Sequence, residues 1–443
     1  MEKKLLVYIE PLIEQGRPDL KTWWLNFAAH AINSIFGEKL DWENQCRIIT
    51  SDYLKSVAIE QHPNMTSCAK QLLNDASAKY IKDISINECW DMMSLDSVAT
   101  IKKWSDRTYD SVVLDKVADL IKSKLGSFEP NCILTFSPSP FLKHAFPKAV
   151  VMHQESGMLS APPFPYTNYF DPIGMKETSS LLHFSSELEK LELNDEVVDG
   201  VARFRKAFIE DCLIPNSPFK QYKEGLQNSF DSLWIWPCQY SQGAGWGASL
   251  PKQDMWDMMT WVLDAVGPKT GIIFTENPTY NGYLTDERVA YWRKMFPNFI
   301  YHKSFYEIKA ATHFLMDIVD GVFSLASGVG YHPLFWQKKL ITLGETQFTN
   351  LADTSNIKDI PDILNQPWNR QKDAQLYWLL TQFNILQSHQ QETPFLSNFF
   401  DRCMESKIKT GEVQFTAFQP AKAASTVMED IISQGMYDVP IPA

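Results

Sequence analysis

The sequence predicts an α/β protein built from two Rossmann-like domains, each with a mostly parallel sheet, facing one another across a cleft. Three observations carry this. Short apolar runs alternate with amphipathic segments from Leu5 to Leu343, the signature of strands joined by helical crossovers. The turn formers Ile214-Pro215-Asn216-Ser217-Pro218-Phe219 interrupt the alternation, which restarts at Leu233. The chain has 443 residues, too many for one ordinary domain, and two of roughly 200 residues are the default. The expected boundaries are 1–215, 216–405 and a helical tail over 406–443.

The elements follow in order. Leu5 to Ile9 reads as a first buried strand. Leu20 to Ile35 reads as a helix with Trp24, Phe27, Ala28 and Ile35 on one face. Arg47 to Thr50 is a strand, and Val112 to Leu125 a helix ended by Gly126. Cys132 to Phe136 and Ala149 to Met152 are further strands, joined through Pro138, Pro140 and a short helix. A long helix from Glu196 to Cys212 closes the first half. Past the linker come strands at Leu233–Trp236, Ile272–Phe274, Phe299–Tyr301, Val322–Leu325 and Leu340–Leu343. Helices over 253–266, 286–295 and 306–317 separate them. The last segments, 377–388, 395–406 and 421–434, read as helices without a strand of their own.

Composition narrows the function. A hydrophobic share of 44% suffices for two cores, and a formal net charge of -12 argues against a nucleic-acid partner. The apolar run after Lys3-Lys4 stops at Glu10, too short for a signal peptide or a span. Seven scattered cysteines with no C-x-x-C pair fit a reducing cytoplasm and offer neither a disulfide framework nor a metal site. The nine histidines are equally dispersed, so no zinc site is expected.

Chemistry concentrates in loops that follow strands. The most informative is Ser327-Gly328-Val329-Gly330, between a strand and a short helix over Tyr331–Gln337. Small residues there let the backbone turn sharply, and the helix N–H groups suit an anion such as a nucleotide phosphate. The plainer reading is an ordinary β-α-β turn. A second loop, His153 to Gly174, is long, proline-rich and aromatic, and carries Glu155 just past a strand end. Glu155 is the best candidate acid or base; its alternative role is to cap or pair within the loop. His153 reads as a hydrogen-bonded structural residue. A third loop, Pro237 to Ser249, is glycine-rich and holds Gln239. A fourth, Thr275 to Gly282, holds Asn277 and Pro278, where Asn277 or Thr279 could donate to a phosphate.

Four loops around one cleft resemble the GT-B glycosyltransferase architecture. More narrowly, the chain is similar to the bacterial capsule and lipopolysaccharide β-Kdo transferases that use CMP-Kdo, over roughly residues 130–345. The similarity lies in Glu155-Ser156-Gly157 with Asp171-Pro172-Ile173-Gly174, in Trp236-Pro237-Cys238-Gln239, in Asn277-Pro278 and in Ser327 to Gly330. It implies a nucleotide-sugar donor on the C-terminal domain, held by Gln239, Asn277, Pro278, Ser327, Gly328, Val329, Gly330 and His332. It implies a glycan or lipid-linked glycan acceptor near Glu155, with no cofactor and no metal. It also implies a cytoplasmic protein, at the inner face of the cytoplasmic membrane beside membrane-bound assembly machinery. Three departures stand out. Asn277 occupies the place of the family's histidine, and His332 that of a helix carboxylate. Gln239, Tyr240, Ser241 and Gln242 stand where retaining members carry an aspartate nucleophile. An enzyme using a UDP- or GDP-sugar, transferase or epimerase, stays open on this reading, as does a nucleotide-binding module without activity.

Overall fold

A computed structural model of the protein describes residues 2–11, 22–74, 76–85, 87–88, 110–238, 254–276, 283–308, 310–392 and 394–436. Contacts divide the chain into two compact units. The first comprises residues 1–156, 168–180 and 385–421; the second comprises 157–167, 181–384 and 422–443. Each is built on one sheet, as the α/β reading expects.

The first unit holds β1 (Leu5–Tyr8), β2 (Cys46–Ser51), β3 (Ile81–Ile84), β4 (Cys132–Thr135), β5 (Val150–Ser156) and β6 (Thr167–Asp171). The second holds β7 (Ser232–Pro237), β8 (Thr270–Thr275), β9 (Phe299–Ile300), β10 (Gly321–Ser324) and β11 (Lys339–Thr342). A short β12 (Asn384–Leu386) joins the first sheet, whose order is β12-β6-β5-β4-β1-β2-β3; the second runs β11-β10-β7-β8-β9. Pairing is parallel throughout the second sheet and from β3 to β5 in the first, while β5 and β6 pair antiparallel.

Four expectations change. β5 does not stop at Met152 but runs through Glu155 to Ser156, because β6 returns beside it and satisfies its backbone. The segment 377–388 is not purely helical, since β12 adds a strand at the sheet edge. The helix expected to close the first half, Asp195–Arg205, packs instead on the helices Gln371–Trp378 and Ala424–Ser433 of the second unit. There Tyr377 Oη donates to Glu196 at 2.7 Å, and Arg205 Nη2 meets Asp373 at 2.7 Å. The segment 214–219 accordingly lies inside the second unit and does not link two units; Phe219 is fully buried.

Local chemistry explains the elements. β1, Leu-Leu-Val-Tyr, is buried at every position, as a central parallel strand must be. Helix starts carry side-chain caps: Asn194 accepts from Val197 N–H, Asp254 from Asp257 N–H and Thr285 from Arg288 N–H. Gly126 ends the helix Ser111–Leu125 at φ +62°. The core of the second unit gathers Trp234, Trp236, Phe274, Trp292 and Phe323 around Met258 and Met259. Each such side chain contributes about 1.5–3 kcal/mol by leaving water. In the first unit the helix Phe395–Thr410 packs on Thr22–Phe36 and β5. It is pinned by Lys3 to Asp401 (2.7 Å) and by Lys407 Nζ to Ala149 O (2.7 Å).

Candidate functional site

In the second sheet the chain builds β7, β8 and β9 on one side and then β10 and β11 on the other. The direction reverses between β7 and β10, and ligands of open α/β sheets settle outside the carboxyl ends at such a point. The segment leaving β10 is Leu325-Ala326-Ser327, followed by a 3₁₀ turn Gly328–Tyr331 and the helix His332–Trp336. Ser327 and Val329 are half-buried and Gly328 is exposed, whereas Gly330 is buried. Ser327 Oγ accepts from Val329 N–H at 3.4 Å, and Gly330 N–H donates to Ser327 O at 2.8 Å.

The glycines of this turn differ in kind. A Cβ on Gly330 would meet the Phe348 ring at 2.8 Å and Ser324 Oγ at 2.9 Å. A Cβ on Gly328 would meet nothing within 4 Å. Gly330 is therefore glycine because the protein packs on it. At Gly328 the interior asks for nothing, and the exposed backbone is open to close approach from outside.

His332 is not at the surface of the turn. It is buried, with its ring stacked 4.3 Å from that of His313. The Nδ1 atoms of both rings have no hydrogen-bond partner among the described residues. Burial lowers the His313 pKa to about 4, and burial together with His313 lowers that of His332 well below its ordinary value. His332 thus reads from the structure as a packed neutral ring. Phe335 of the same helix joins Phe164, Phe204 and Phe208 in an aromatic cluster. Arg205 donates to the Leu334 and Phe335 carbonyls at 2.8 and 3.0 Å, holding the helix behind the turn.

Glu155 sits on β5, opposite Tyr169 of β6, and not in a free loop. Its side chain is 38% exposed and its Oε2 lies 2.9 Å from Lys176 Nζ. The loop expected to surround it divides: residues 157–167 belong to the second unit, where Phe164 is fully buried. Asp171, also buried, accepts from Ile173 N–H (2.8 Å), Gly174 N–H (3.1 Å), Ser180 N–H (2.7 Å) and Ser180 Oγ (2.6 Å). Burial pushes its carboxyl up, against those donors. His153 Nδ1 lies 3.1 Å from Asp171 O, and burial lowers its pKa to about 3, in keeping with a structural histidine.

Gln239, Asn277 and Pro278 lie outside the described residues. Glu276, at the start of the fourth loop, is buried and ties the chain together: Oε1 accepts from Leu284 N–H at 2.9 Å and Oε2 from Tyr301 Oη at 3.5 Å. One further carboxylate escaped the sequence reading. Glu10, buried just past β1, receives Ser139 Oγ at 3.5 Å. It stands beside the reversal between β1 and β4 of the first sheet. In the sequence it looked only like the end of an apolar run; a carboxylate directly after the first strand was the available signal. Among the described residues no group of three or more His, Cys, Asp or Glu could hold a metal ion.

No family model matches the chain, and no curated protein matches it in sequence. Solved structures similar in fold include a β-Kdo 2,7 transferase, KpsC of Thermosulfurimonas dismutans. It is 15% identical, with 66% of this chain and 90% of that chain covered, at a TM-score of 0.40. A β-Kdo 2,4 transferase KpsC of the same organism is 13% identical, covering 58% and 81%, at 0.36. The UDP-GlcNAc 2-epimerase of Methanocaldococcus jannaschii is 12% identical, covering 84% and 98%, at 0.31.

Proposed function

We propose that the protein is a GT-B-type glycosyltransferase that moves a sugar from a nucleotide donor to a bacterial surface polysaccharide or its lipid-linked precursor. CMP-Kdo is the leading donor. The observation that carries this reading is the turn after β10: exposed backbone at Gly328, at the carboxyl end of a parallel sheet and at its reversal point. The donor phosphate lies against Ser327 to Val329, and the loops bearing Gln239 and Asn277-Pro278 complete the nucleotide site. Glu155 serves as the base. It takes the acceptor hydroxyl proton while that oxygen bonds to the anomeric carbon, and the bond from that carbon to the donor phosphate breaks. CMP departs with its own phosphate and the bonding electron pair, so the site needs chiefly to receive developing negative charge. A single displacement of this kind requires no aspartate among residues 239–242. No described helix is long and apolar enough to cross a membrane.

A melting-temperature panel of CMP, CDP, UDP and GDP tests the donor. A ligand at 100 times its Kd stabilises by about 2.7 kcal/mol, so CMP should give the largest rise. A larger rise with UDP or GDP would favour the second reading, a transferase or epimerase using another sugar nucleotide, which Gln239-Tyr240-Ser241-Gln242 keeps in view. Binding of CMP without turnover over any acceptor would favour a nucleotide-binding module. For catalysis, Glu155→Gln should retain the melting temperature and CMP binding while turnover falls by roughly two to four powers of ten. Unchanged turnover removes Glu155 from the mechanism.

A further inference from the structure

Lys176 lies at φ +52°, in the left-handed region that favours glycine. Backbone strain of this kind persists where the surroundings impose it, and it concentrates at functional sites. Here the surroundings are built for the purpose. Asp171 clamps Ile173, Gly174 and Ser180 with four hydrogen bonds. Thr178 Oγ1 accepts from Met175 N–H at 3.1 Å and donates to Met175 O at 2.8 Å. Lys143 Nζ donates to Ile173 O, and a Cβ on Gly174 would strike Thr178 Oγ1 at 2.3 Å. The segment between Asp171 and Ser180 therefore has little freedom. The one long cation it carries beside β5 delivers Nζ to within 2.9 Å of Glu155 Oε2, with only 15% of the lysine side chain exposed.

We infer that Lys176 is the positioning residue for Glu155. Its ammonium holds one carboxylate oxygen by a charge-assisted hydrogen bond. The other oxygen stays aimed at the acceptor hydroxyl whose proton Glu155 takes. The inference rests on the glycosyl-transfer reading and adds to it a reason for the strained backbone. A loop selected for stability alone would carry glycine at position 176, which adopts this conformation without hindrance.

The experiment compares Lys176→Gly, Lys176→Met and Lys176→Arg in the full chain, measuring melting temperature, turnover of CMP-Kdo and its KM. Lys176→Gly relieves the strain and should melt at or above the unaltered protein, yet lose roughly 10- to 100-fold in kcat. Its donor KM should stay within about twofold, because Lys176 does not hold the donor. Lys176→Met should show the same loss without the thermal gain, and Lys176→Arg should recover at least a tenth of the activity. Two results overturn the inference. One is a melting temperature more than about 3 °C lower in Lys176→Gly, which would make the lysine a stabilising element. The other is unchanged kcat per folded molecule. If the unaltered protein turns over no nucleotide sugar, the transfer reading itself fails. The inference, which rests on that reading, then falls with it, whatever the melting temperature of Lys176→Gly; an active unaltered protein with unchanged kcat in Lys176→Gly overturns the inference alone.

Discussion

Gly328 and Gly330 are two residues apart and identical in chemistry, yet the structure gives them opposite reasons to lack a side chain. Gly330→Ala drives a methyl into a fully buried Phe348, and overpacking of this kind should cost about 1–3 kcal/mol. Gly328→Val should leave stability within about 0.5 kcal/mol, since its Cβ meets nothing, while weakening CMP binding more than Ser327→Ala does. Calorimetry on the folded variants checks both, and full CMP affinity in Gly328→Val would move the phosphate elsewhere. The sequence marks Ser327 to Gly330 as one small-residue turn. It cannot separate the two glycines, because Phe348 arrives from the far side of β11. Glu155 was legible as a carboxylate near a strand end. Its partner was not, because nothing in the spacing of Glu155 and Lys176 announces that β6 folds back between them.

Among the elements, the hairpin of β5 and β6 is the one most misread from the sequence. Its residues His153, Gln154, Thr167, Asn168 and Asp171 are polar, and polar runs read as loop. All five are nevertheless buried, because pairing satisfies the backbone and Asp171 gathers its own donors. The segment joining the two strands carries Phe164 into the cluster of Phe204, Phe208, His313 and Phe335. Phe164→Ala empties the middle of that cluster and should cost about 3–5 kcal/mol in a urea melt. A loss under about 1 kcal/mol would mean that the cluster collapses around the gap. The long apolar strands and capped helices, by contrast, were recovered within a few residues. Val322-Phe323 and Ile272-Ile273-Phe274 are short, β-branched and aromatic runs between turn formers, which favours buried strand over helix.

At the scale of the molecule, buried histidines should weaken the fold in acid. His153, His313 and His332 have pKa values depressed below 6.5 in the folded protein, to about 3 and about 4 for the first two. The unfolded chain therefore binds protons that the native protein refuses. The stability these neutral rings preserve is complete above about pH 6.5 and drains away as pH falls toward 4. Each ring contributes up to about 1.4 kcal/mol per pH unit across that window. Asp171, whose carboxyl is raised by burial, works in the opposite direction. Denaturant melts at pH 7 and pH 5 should show a clear loss at pH 5; equal or greater stability there would mean the rings are protonated in the fold. The α/β class and the presence of two sheets were readable from alternation alone. The division between units was not, because a break such as 214–219 records local turn chemistry and says nothing about which helix packs on which core.

That division changes the protein's life on the ribosome. The chain passes from one unit to the other after residues 156, 167, 180, 384 and 421. β1 is translated long before the helix Phe395–Thr410 that packs beside the helix after it. The first unit cannot finish folding while residues 385–421 are still untranslated, even though most of its strands are long since made. A nascent chain released at residue 215 contains neither unit whole. Pulse-labelled synthesis followed by proteolysis should therefore find no protected fragment of the first unit until residues 385–421 have been made.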